Sequence, residues 1–333
     1  MMEIDVAKGI GLFLGAGSSC DYGFPSGYRL MRDVAKALTT PREHAIGSYL
    51  LKHSDYGERT FLDVGNNLAN ALQKGEFSSI DAYLENRQNH SDEIVAVCRQ
   101  AMWCIILDYE RRANLYPEHD WMLAWFTVLF KGARTLHEAL EILYPTETRA
   151  KIGLAIYTLN YDRLFAWKLF LHLNNRYGKT DSPSLYLELI TSKVLHCHGS
   201  LGQLKSDQSL PFAAPFPDGK ESFLGASEKL QFWFEKSSHP WDWTFPQAYS
   251  HRETLLLVGY GYHGAINKRF AAKRQKESKL SRVYGTCFGQ NENFRNEVAI
   301  ELADLFKVRR DSVNLSASTH RSIDFIRGIQ WGV

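Results

Sequence analysis

The chain has 333 residues, of which 44% are apolar, and this is enough to fill the core of one large domain or two modest ones. Thirty-nine Lys and Arg residues are balanced by 37 Asp and Glu residues, so the formal net charge is only +2. This balance excludes the strong overall charge that would make nucleic acid or an anionic membrane the expected partner. Direct nucleic-acid binding through a local basic patch is an alternative that the composition does not favour.

The five cysteines form no CxxC pair, so the sequence predicts neither a zinc ribbon nor a disulfide framework. No N-terminal stretch combines a basic head, an apolar run and a cleavage site. No apolar segment approaches the roughly 18 residues that are needed to span a bilayer. We therefore expect a cytoplasmic protein with no membrane partner.

Short apolar runs that end in glycine or polar residues indicate the strands of a parallel sheet buried on both faces. The first run covers 10–14 (IGLFL), and the spacing of apolar residues predicts an amphipathic helix over 26–38. Helical periodicity with little strand signal then extends over 39–150. Within this region we predict helices at 94–109, 120–131 and 134–143.

Strand character returns after the helical region. Further strands are predicted at 154–159, 194–197 and 254–258, and further helices at 163–173, 265–279, 292–306 and 319–328. Strands that alternate with helices predict an α/β fold, with a Rossmann-like parallel sheet and helices on both faces. We expect a Rossmann-like domain formed by 1–38 and 151–333, and a largely helical insertion at 39–150.

The turn after the first predicted strand has the composition of a phosphate-binding loop. Gly15, Ala16 and Gly17 would let the backbone approach a pyrophosphate, while the following helix would offer unpaired N–H groups. Ser18 adds a hydroxyl donor. The dinucleotide pattern GxGxxG needs a third glycine where this chain has Cys20, so the standard match fails. Taken alone, these residues indicate a simple tight turn equally well.

A second polar turn, TLNYD at 158–162, follows another predicted strand. If the turn is locally extended, the side chains of Asn160 and Asp162 point the same way, into the crevice at the sheet edge. The alternative is structural and is favoured when the motif is taken alone. Asn and Asp are common turn formers, and Asp162 is well placed to cap the helix that begins at Arg163.

A histidine occupies the corresponding place after the third predicted strand. His198 follows the run VLHC and precedes Gly199, which leaves room beside the ring for a ligand. Histidine at a strand end is more often a hydrogen-bonded structural group than a catalyst. His196, two residues earlier in the same run, is the better structural candidate.

Taken together, GAGSS, GFP, TLNYD, HGS and GYG resemble the sirtuin-like (SIR2) domain, over 10–38 and 154–261 in order. The chain is most similar to the sirtuin-like domains of bacterial antiphage defence proteins, whose usual pattern contains TxNYD where protein-deacylating sirtuins usually carry TQNID. The resemblance implies a Rossmann-like NAD fold with a smaller insertion.

The resemblance also implies roles for individual residues. The phosphates of NAD would contact Gly15, Ala16, Gly17 and Ser18. Asn160 and Asp162 would line the nicotinamide and ribose end, and His198 would be the catalytic histidine. Gly259 and Tyr260, in the turn after a later strand, would lie against the ADP-ribose.

Two departures from the protein deacylases favour a different reaction. The deacylases normally carry four zinc-binding cysteines soon after the HG motif, and 199–250 contains no cysteine. The residues after GFP read SGYR rather than DFR. Both departures concern the groove for an acylated peptide and leave the NAD pocket intact. The preferred interpretation is an NAD hydrolase that uses NAD as substrate and needs no zinc. The alternatives are a non-enzymatic sensor of NAD or ADP-ribose and, less favoured, a protein deacylase.

The predicted residues suit this chemistry. Nicotinamide leaves the ribose as a neutral pyridine, so its departure needs no acid and a carboxylate pair is unnecessary, unlike ordinary glycoside hydrolysis. We expect Asn160 to orient the attacking water or a ribose hydroxyl and Asp162 to hold the pocket and supply negative potential. His198 is the expected general base, because the pKa of histidine lies near neutrality.

Two further segments have less specific interpretations. Seven Lys and Arg residues fall within 268–282, which a solvated helix face explains best; the alternative is a docking surface for nucleic acid or a partner chain. The aromatic-rich segment 233–246 is best explained by packing, with a lid or an assembly surface as alternatives.

The resemblance implies partners as well as chemistry. Sirtuin-like defence domains commonly work as oligomers or beside a second protein such as a HerA-like ATPase. We therefore expect a homo-oligomer that acts by NAD depletion in antiphage defence. The chain has no P-loop pattern GxxxxGK followed by Ser or Thr, so any such ATPase would be a separate chain.

Overall fold

The computed structural model describes residues 2–5, 8–74, 77, 79–86, 91–144, 154–178, 183–197, 199–202, 204, 211–232, 249, 251–262, 278–317 and 321–332. The strands are β1 (Met2–Asp5), β2 (Ile10–Leu14), β3 (Ala155–Thr158), β4 (Val194–His196), β5 (Thr254–Val258), β6 (Arg282–Gly285), β7 (Val313–Leu315) and β8 (Ile329–Gly332). The first and last strands, β1 and β8, pair with each other in parallel. The other six form the main sheet.

The main sheet is parallel throughout, and its strand order is β4-β3-β2-β5-β6-β7. Counted from β2, this order is 3-2-1-4-5-6, which is the order of the doubly wound Rossmann fold. The chain reverses its direction of growth between β2 and β5. At such a switch point the connections leave toward opposite sides of the sheet, and a crevice opens at the carboxyl ends of the strands.

Twelve α-helices are present in the described residues. They are α1 (Gly27–Thr39), α2 (Ala45–His53), α3 (Glu58–Lys74), α4 (Ile80–Asn86), α5 (Asp92–Arg112), α6 (Trp121–Leu129), α7 (Leu136–Leu143), α8 (Leu164–Tyr177), α9 (Pro183–Lys193), α10 (Lys220–Ser227), α11 (Glu292–Phe306) and α12 (Ser322–Arg327). None of the helices in the described residues is long and apolar enough to cross a membrane.

Helices cover both faces of the sheet because side chains alternate along each buried strand. Leu12 and Leu14 of β2 belong to a large apolar cluster that contains buried residues of α1, α3, α5, α6 and α8. Phe13, between them, points to the other face and joins a second cluster with Leu257 of β5 and Leu302 of α11. The predicted α/β fold with helices on both faces of a Rossmann-like parallel sheet is confirmed.

The predicted helical region contains α2 to α7, and no strand is present in its described part, 39–74, 77, 79–86 and 91–144. Its helices do not form a separate core. Trp103 of α5 and Trp125 of α6 are fully buried in the same cluster as Leu12 and Leu14 of the sheet. The region is therefore continuous with the packing on the first face of the sheet, and its boundaries as a subdomain stay a prediction.

Several predicted elements agree closely with the structure, and others were not predicted. The strands at 10–14 and 254–258 and the helix at 292–306 have the bounds that were expected. Elements with no sequence prediction are β1, β6, β7, β8, α9 and α10. The helix predicted at 319–328 begins at Ser322. Most of the helix predicted at 265–279, and 233–246 as a whole, lie outside the described residues.

Candidate functional site

The turn after β2 is bonded to the turn after β5. The Gly15 N–H donates to the carbonyl oxygen of Val258 (2.9 Å), and the Gly17 N–H donates to that of Gly259 (3.0 Å). Instead of entering α1 directly, the chain forms a 3-10 helix, Ala16–Tyr22, that ends at Gly23 with a φ of +92°. The two turns therefore form one joined backbone unit at the switch point of the sheet.

Glycine is required in this unit because the two backbones approach too closely for a side chain. A Cβ on Gly15 would lie 2.5 Å from the Gly259 carbonyl oxygen. Gly259 has a φ of +63°, and a Cβ there would overlap the backbone of Gly17 and Ser18. The glycines of GAGSS are therefore needed for the tight turn itself, as the structural interpretation predicted. Ala16 and Gly17 are also exposed at the crevice, so the phosphate-binding prediction stays open for them.

The Asn160 side chain is held by the two serines that follow the glycines. Its Nδ2 donates to Ser18 Oγ (3.1 Å) and to Ser19 Oγ (3.0 Å), and its backbone N–H donates to Thr158 Oγ1 (2.9 Å). These bonds assign the amide nitrogen to the serine side. The amide oxygen, Oδ1, is buried and has no hydrogen-bond partner among the described residues. The structure therefore directs the Ser18 hydroxyl at Asn160, and the expected phosphate contact of Ser18 stays a prediction.

Asp162 continues this chain of hydrogen bonds. Ser19 Oγ donates to Asp162 Oδ1 (3.3 Å), and the same oxygen accepts from the backbone N–H of Leu164 at the start of α8 (3.1 Å). Asp162 thus has the helix-terminus contact that the structural interpretation predicted, and it also lines the crevice. The pKa of this carboxyl is raised to about 7, chiefly by burial; hydrogen bonds from Leu164 and Ser19 oppose the shift, and the nearby Glu110 adds to it.

Stability should depend on pH through Asp162. Its pKa is about 7 in the folded protein and has its ordinary value of 3.8 in the unfolded chain, so the unfolded chain releases this proton at a lower pH. The contribution to the free energy of unfolding is complete below the unfolded pKa and is lost as pH rises through about 7. From pH 5 to pH 8, the protein should lose about 3 kcal/mol relative to Asp162→Asn. Urea unfolding of both proteins at each pH checks this, and identical pH profiles would contradict it.

Of the two histidines of HCHGS, only His196 lies within the described residues. His196 of β4 donates from Nδ1 to the Asn160 carbonyl oxygen (2.9 Å), which places its proton on Nδ1. Burial lowers the pKa of His196 to about 4, so the ring is neutral at pH 7 and acts as a structural support for the turn. His198 lies outside the described residues, so its catalytic role stays a prediction.

A large cavity of about 690 Å³ occupies the crevice, within the range of small-molecule sites. Seven of the predicted site residues line it: Gly15, Ala16 and Gly17 after β2, Asn160 and Asp162 after β3, and Gly259 and Tyr260 after β5. The lining continues to Thr286 and Cys287 after β6. From β3 to β6 is three strand spacings, or about 14 Å, so the cavity suits an elongated ligand.

Residues outside the sequence motifs complete the cavity. One end is lined by Asp81 and Glu85 of α4, and the other by Phe288 and Arg321. Sequence reasoning missed these residues because no motif surrounds them. Cys20 also lines the cavity, and burial together with the charge of Asp21 raises the pKa of its thiol to about 11. Cys20 is therefore a thiol at neutral pH and is poorly suited to nucleophilic attack.

The large aromatic residue of the GYG turn packs beneath the cavity. Tyr260 is buried, and its ring meets Phe13 at 5.3 Å and Tyr262 at 5.1 Å between centroids, both in edge-to-face geometry. The ring therefore belongs mainly to the core of the second face. Its bulk is accommodated there, so the backbone of 259–261 can still line the cavity.

Helix α6 supports the turn after β2 from behind. Trp121 Nε1 donates to the Ser18 carbonyl oxygen (2.8 Å), and the Tyr22 hydroxyl donates to Asp120 Oδ1 (2.7 Å). Asp120 also forms an ion pair with Lys168 of α8. Burial lowers the pKa of Lys168, while Asp120 raises it. These contacts connect the helical region to the backbone unit that lines the crevice.

Beneath the Asn-Asp turn lies a buried ion pair. Glu110 Oε2 accepts from Arg163 Nη2 (2.7 Å), and Glu110 Oε1 accepts from the Arg163 backbone N–H (3.0 Å) and from its Nε (3.1 Å). Both side chains are almost completely buried. Because Arg163 directly follows Asp162, the pair joins the end of α5 to the turn. Within the described ranges, no His, Cys, Asp and Glu side chains are grouped as a metal site requires.

Comparison of the chain with protein-family models and with curated protein sequences found no match. The fold and the site define the chain as an α/β protein with a Rossmann-like sheet and a large crevice at the switch point of that sheet.

Proposed function

We propose that the chain is a sirtuin-like NAD hydrolase that cleaves the bond between nicotinamide and ribose to give nicotinamide and ADP-ribose. The observation that carries the proposal is the buried Asn160 amide. Two serine hydroxyls fix its nitrogen, and its oxygen is left without a partner beside Asp162. A buried acceptor without a partner costs free energy, so its retention is explained by a ligand that donates to it.

The acceptor suits either a ribose hydroxyl or the attacking water. In the reaction the bond from ribose C1′ to the pyridinium nitrogen breaks, and its electron pair stays with nicotinamide, which leaves as a neutral molecule. Water adds to C1′ and loses one proton to a base, for which His198 is the sequence-based candidate. The Asn160 amide is held by two serine hydroxyls, so its dipole needs little reorientation when the positive charge develops on the ribose.

Asp162 supports the same reaction through its charge and its bonds. An ionised carboxylate in the crevice stabilises the oxocarbenium-like transition state, and Ser19 connects it to Asn160. With a pKa of about 7, only part of the population is ionised at neutral pH in the empty crevice. The cationic pyridinium of NAD favours the ionised form, so substrate binding itself increases the negative charge at the site.

The size of the cavity supports a dinucleotide as the ligand. A volume of about 690 Å³ along four strand ends matches an extended molecule better than a single ribose or base. The pyrophosphate would lie near the exposed residues Ala16 and Gly17, between the two ends. The roles of Gly259 and Tyr260 against the ADP-ribose belong to this proposal.

The direct test is nicotinamide release from NAD by the purified full chain. We expect Asn160→Ala to lower kcat about 10²-fold or more, because a preorganised group at the reacting centre is removed. The affinity for NAD, measured by calorimetry, should change only a few-fold. Asn175→Ala on the exposed side of α8 is the matched control and should retain wild-type activity. His198→Ala tests the proposed base in the same assay.

The outcomes separate the proposed hydrolase from its alternatives. Release that depends on an acylated peptide would support a deacylase. NAD or ADP-ribose binding without release, with a partner protein present, would support a sensor. An NAD-depleting role in antiphage defence, a homo-oligomeric assembly and a separate HerA-like ATPase are further parts of the proposal that come from the sequence resemblance alone.

A further inference from the structure

Tyr161 lies between Asn160 and Asp162 in the turn after β3, and its side chain reaches away from the sheet to the helical region. We propose that Tyr161 is a positioning residue through which α4 holds the Asn-Asp turn in its working geometry. The kinetic test of this inference rests on the proposed function, whereas a second test, by hydrogen exchange, does not depend on activity.

The contact that carries the proposal joins the two sides of the cavity wall. The Tyr161 hydroxyl donates to Asp81 Oδ1 over 2.8 Å, and both residues line the cavity. The Tyr161 ring is buried. A phenol that donates to a carboxylate makes a charge-assisted hydrogen bond, which is stronger and more directional than one between neutral groups. The bond therefore restrains the middle residue of the turn from the side opposite the sheet.

The backbone of the turn is restrained from the sheet side. The Tyr161 carbonyl oxygen accepts from the Leu201 N–H (3.3 Å), and the Asn160 carbonyl oxygen is bonded to His196. These bonds connect the turn to the chain on either side of HGS. Tyr161 thus connects three parts of the site: the turn itself, the segment after β4 and helix α4.

Helix α4 is a firm support for the Asp81 carboxylate. Its residues Ile80, Tyr83 and Leu84 are buried in the large apolar cluster. The Tyr83 ring packs against Phe77 in edge-to-face geometry, with 5.3 Å between centroids. Ser79 Oγ accepts from the Ala82 N–H (3.2 Å) at the start of the helix. Because these contacts hold α4 in the core, Asp81 restrains Tyr161 rather than following it.

If the bond from Tyr161 to Asp81 only stabilised the fold, its loss would lower stability and leave kcat unchanged. A second tyrosine–aspartate bond in the chain serves as the matched control. The Tyr109 hydroxyl donates to Asp33 Oδ2 over 2.5 Å, and this bond joins α5 to α1. Tyr109 is buried like Tyr161, but it is not among the residues that line the cavity. Tyr109→Phe and Tyr161→Phe each remove one hydroxyl donor from an aspartate. Their effects on the melting temperature should therefore be similar.

The kinetic effects should differ. We expect Tyr161→Phe to lower kcat for nicotinamide release about tenfold with KM changed less than twofold, because a small displacement of Asn160 weakens transition-state contacts most. Asp81→Asn should give a similar loss, and the double variant should lose no more than either single variant. Tyr109→Phe should retain wild-type kcat. Wild-type kcat in Tyr161→Phe, or additive losses in the double variant, would overturn the proposal.

Hydrogen exchange of the full chain tests the same inference without catalysis. Tyr161→Phe should increase exchange of the backbone amides at 159–164 at least fivefold, whereas Tyr109→Phe should leave them unchanged. Equal exchange in the two variants would overturn the positioning role. A wild-type protein that releases no nicotinamide would contradict the proposed function alone, because the exchange result still decides the role of Tyr161.

Discussion

Replacing Gly259 with alanine should lower the free energy of unfolding by about 4 kcal/mol. Part of the loss comes from the backbone, since a φ of +63° is unfavourable for a residue with a Cβ. The larger part comes from the overlap of that Cβ with the backbone of Gly17 and Ser18, which no side-chain rotation relieves. Urea unfolding followed by tryptophan fluorescence measures the loss.

Gly289→Ala separates the two causes. Gly289 has a φ of +76°, similar to that of Gly259, but no atom lies within 4 Å of the position its Cβ would occupy. This variant should lose only the backbone part, about 1 kcal/mol. Equal losses in the two variants would show that the turns after β2 and β5 separate at little cost. Because Gly17 and Gly259 line the cavity, Gly259→Ala should also weaken ligand binding, whereas Gly289→Ala should not.

The elements with predicted bounds that match the structure are those whose stability is visible locally. The strands β2 and β5 are runs of five buried residues, and each run is apolar or nearly so. Helix α11 repeats apolar residues at helical spacing between a clear N-cap, Asn291, and a left-handed residue, Lys307, at its end. A buried parallel strand and an amphipathic helix leave distinct patterns, so their bounds follow from the sequence alone.

The elements that were not predicted depend on their neighbours. Strand β6 has only four residues, begins with Arg282 and adjoins the basic segment, while β7 has three residues with a central Asn314. Neither has an apolar run, and the alternation in β7 covers only the three residues VNL. They become strands because β6 pairs with β5 and then offers an edge to β7. This pairing joins residues that are far apart in the chain, so the local sequence pattern does not indicate it.

The candidate site shows the same division. The sequence predicted that the turns after β2, β3 and β5 meet at the crevice, because parallel strands bring their carboxyl ends to one edge. It did not predict the direction of the serine side chains. The Ser18 hydroxyl accepts from Asn160, 142 residues away, and its expected phosphate contact stays a prediction. The Tyr161 bond to Asp81 was equally unseen, because one partner belongs to a helix with no motif.

Glu110→Gln should lower the free energy of unfolding by about 4 kcal/mol. The glutamine has the shape of glutamate, but it removes the carboxylate charge that the buried Arg163 guanidinium faces in the wild type. Its amide group would also place hydrogens against those of Arg163, where Glu110 now accepts two side-chain bonds and the Arg163 backbone N–H. Urea unfolding at pH 7 measures the effect.

Glu58→Gln is the control for loss of a carboxylate in an ion pair. Glu58 pairs with Arg42 over 2.6 Å, but both side chains are more than half exposed. Its loss should cost less than about 1 kcal/mol, because water solvates the separated charges. If both variants lost equally little, the buried pair would contribute no more than a surface pair. Replacing Glu110 and Arg163 together with methionine should recover part of the loss, since no unpaired charge then remains.

Glu110→Gln should also change the pKa of Asp162. The negative charge of Glu110 helps to raise the pKa of Asp162, although burial is the larger cause. Removing that charge while Arg163 stays positive should lower the Asp162 pKa from about 7. The loss of stability through Asp162 would then be complete at a lower pH in Glu110→Gln than in the wild type. An unchanged pH profile would mean that burial alone sets the Asp162 pKa and that Glu110 acts on the site only through the position of Arg163.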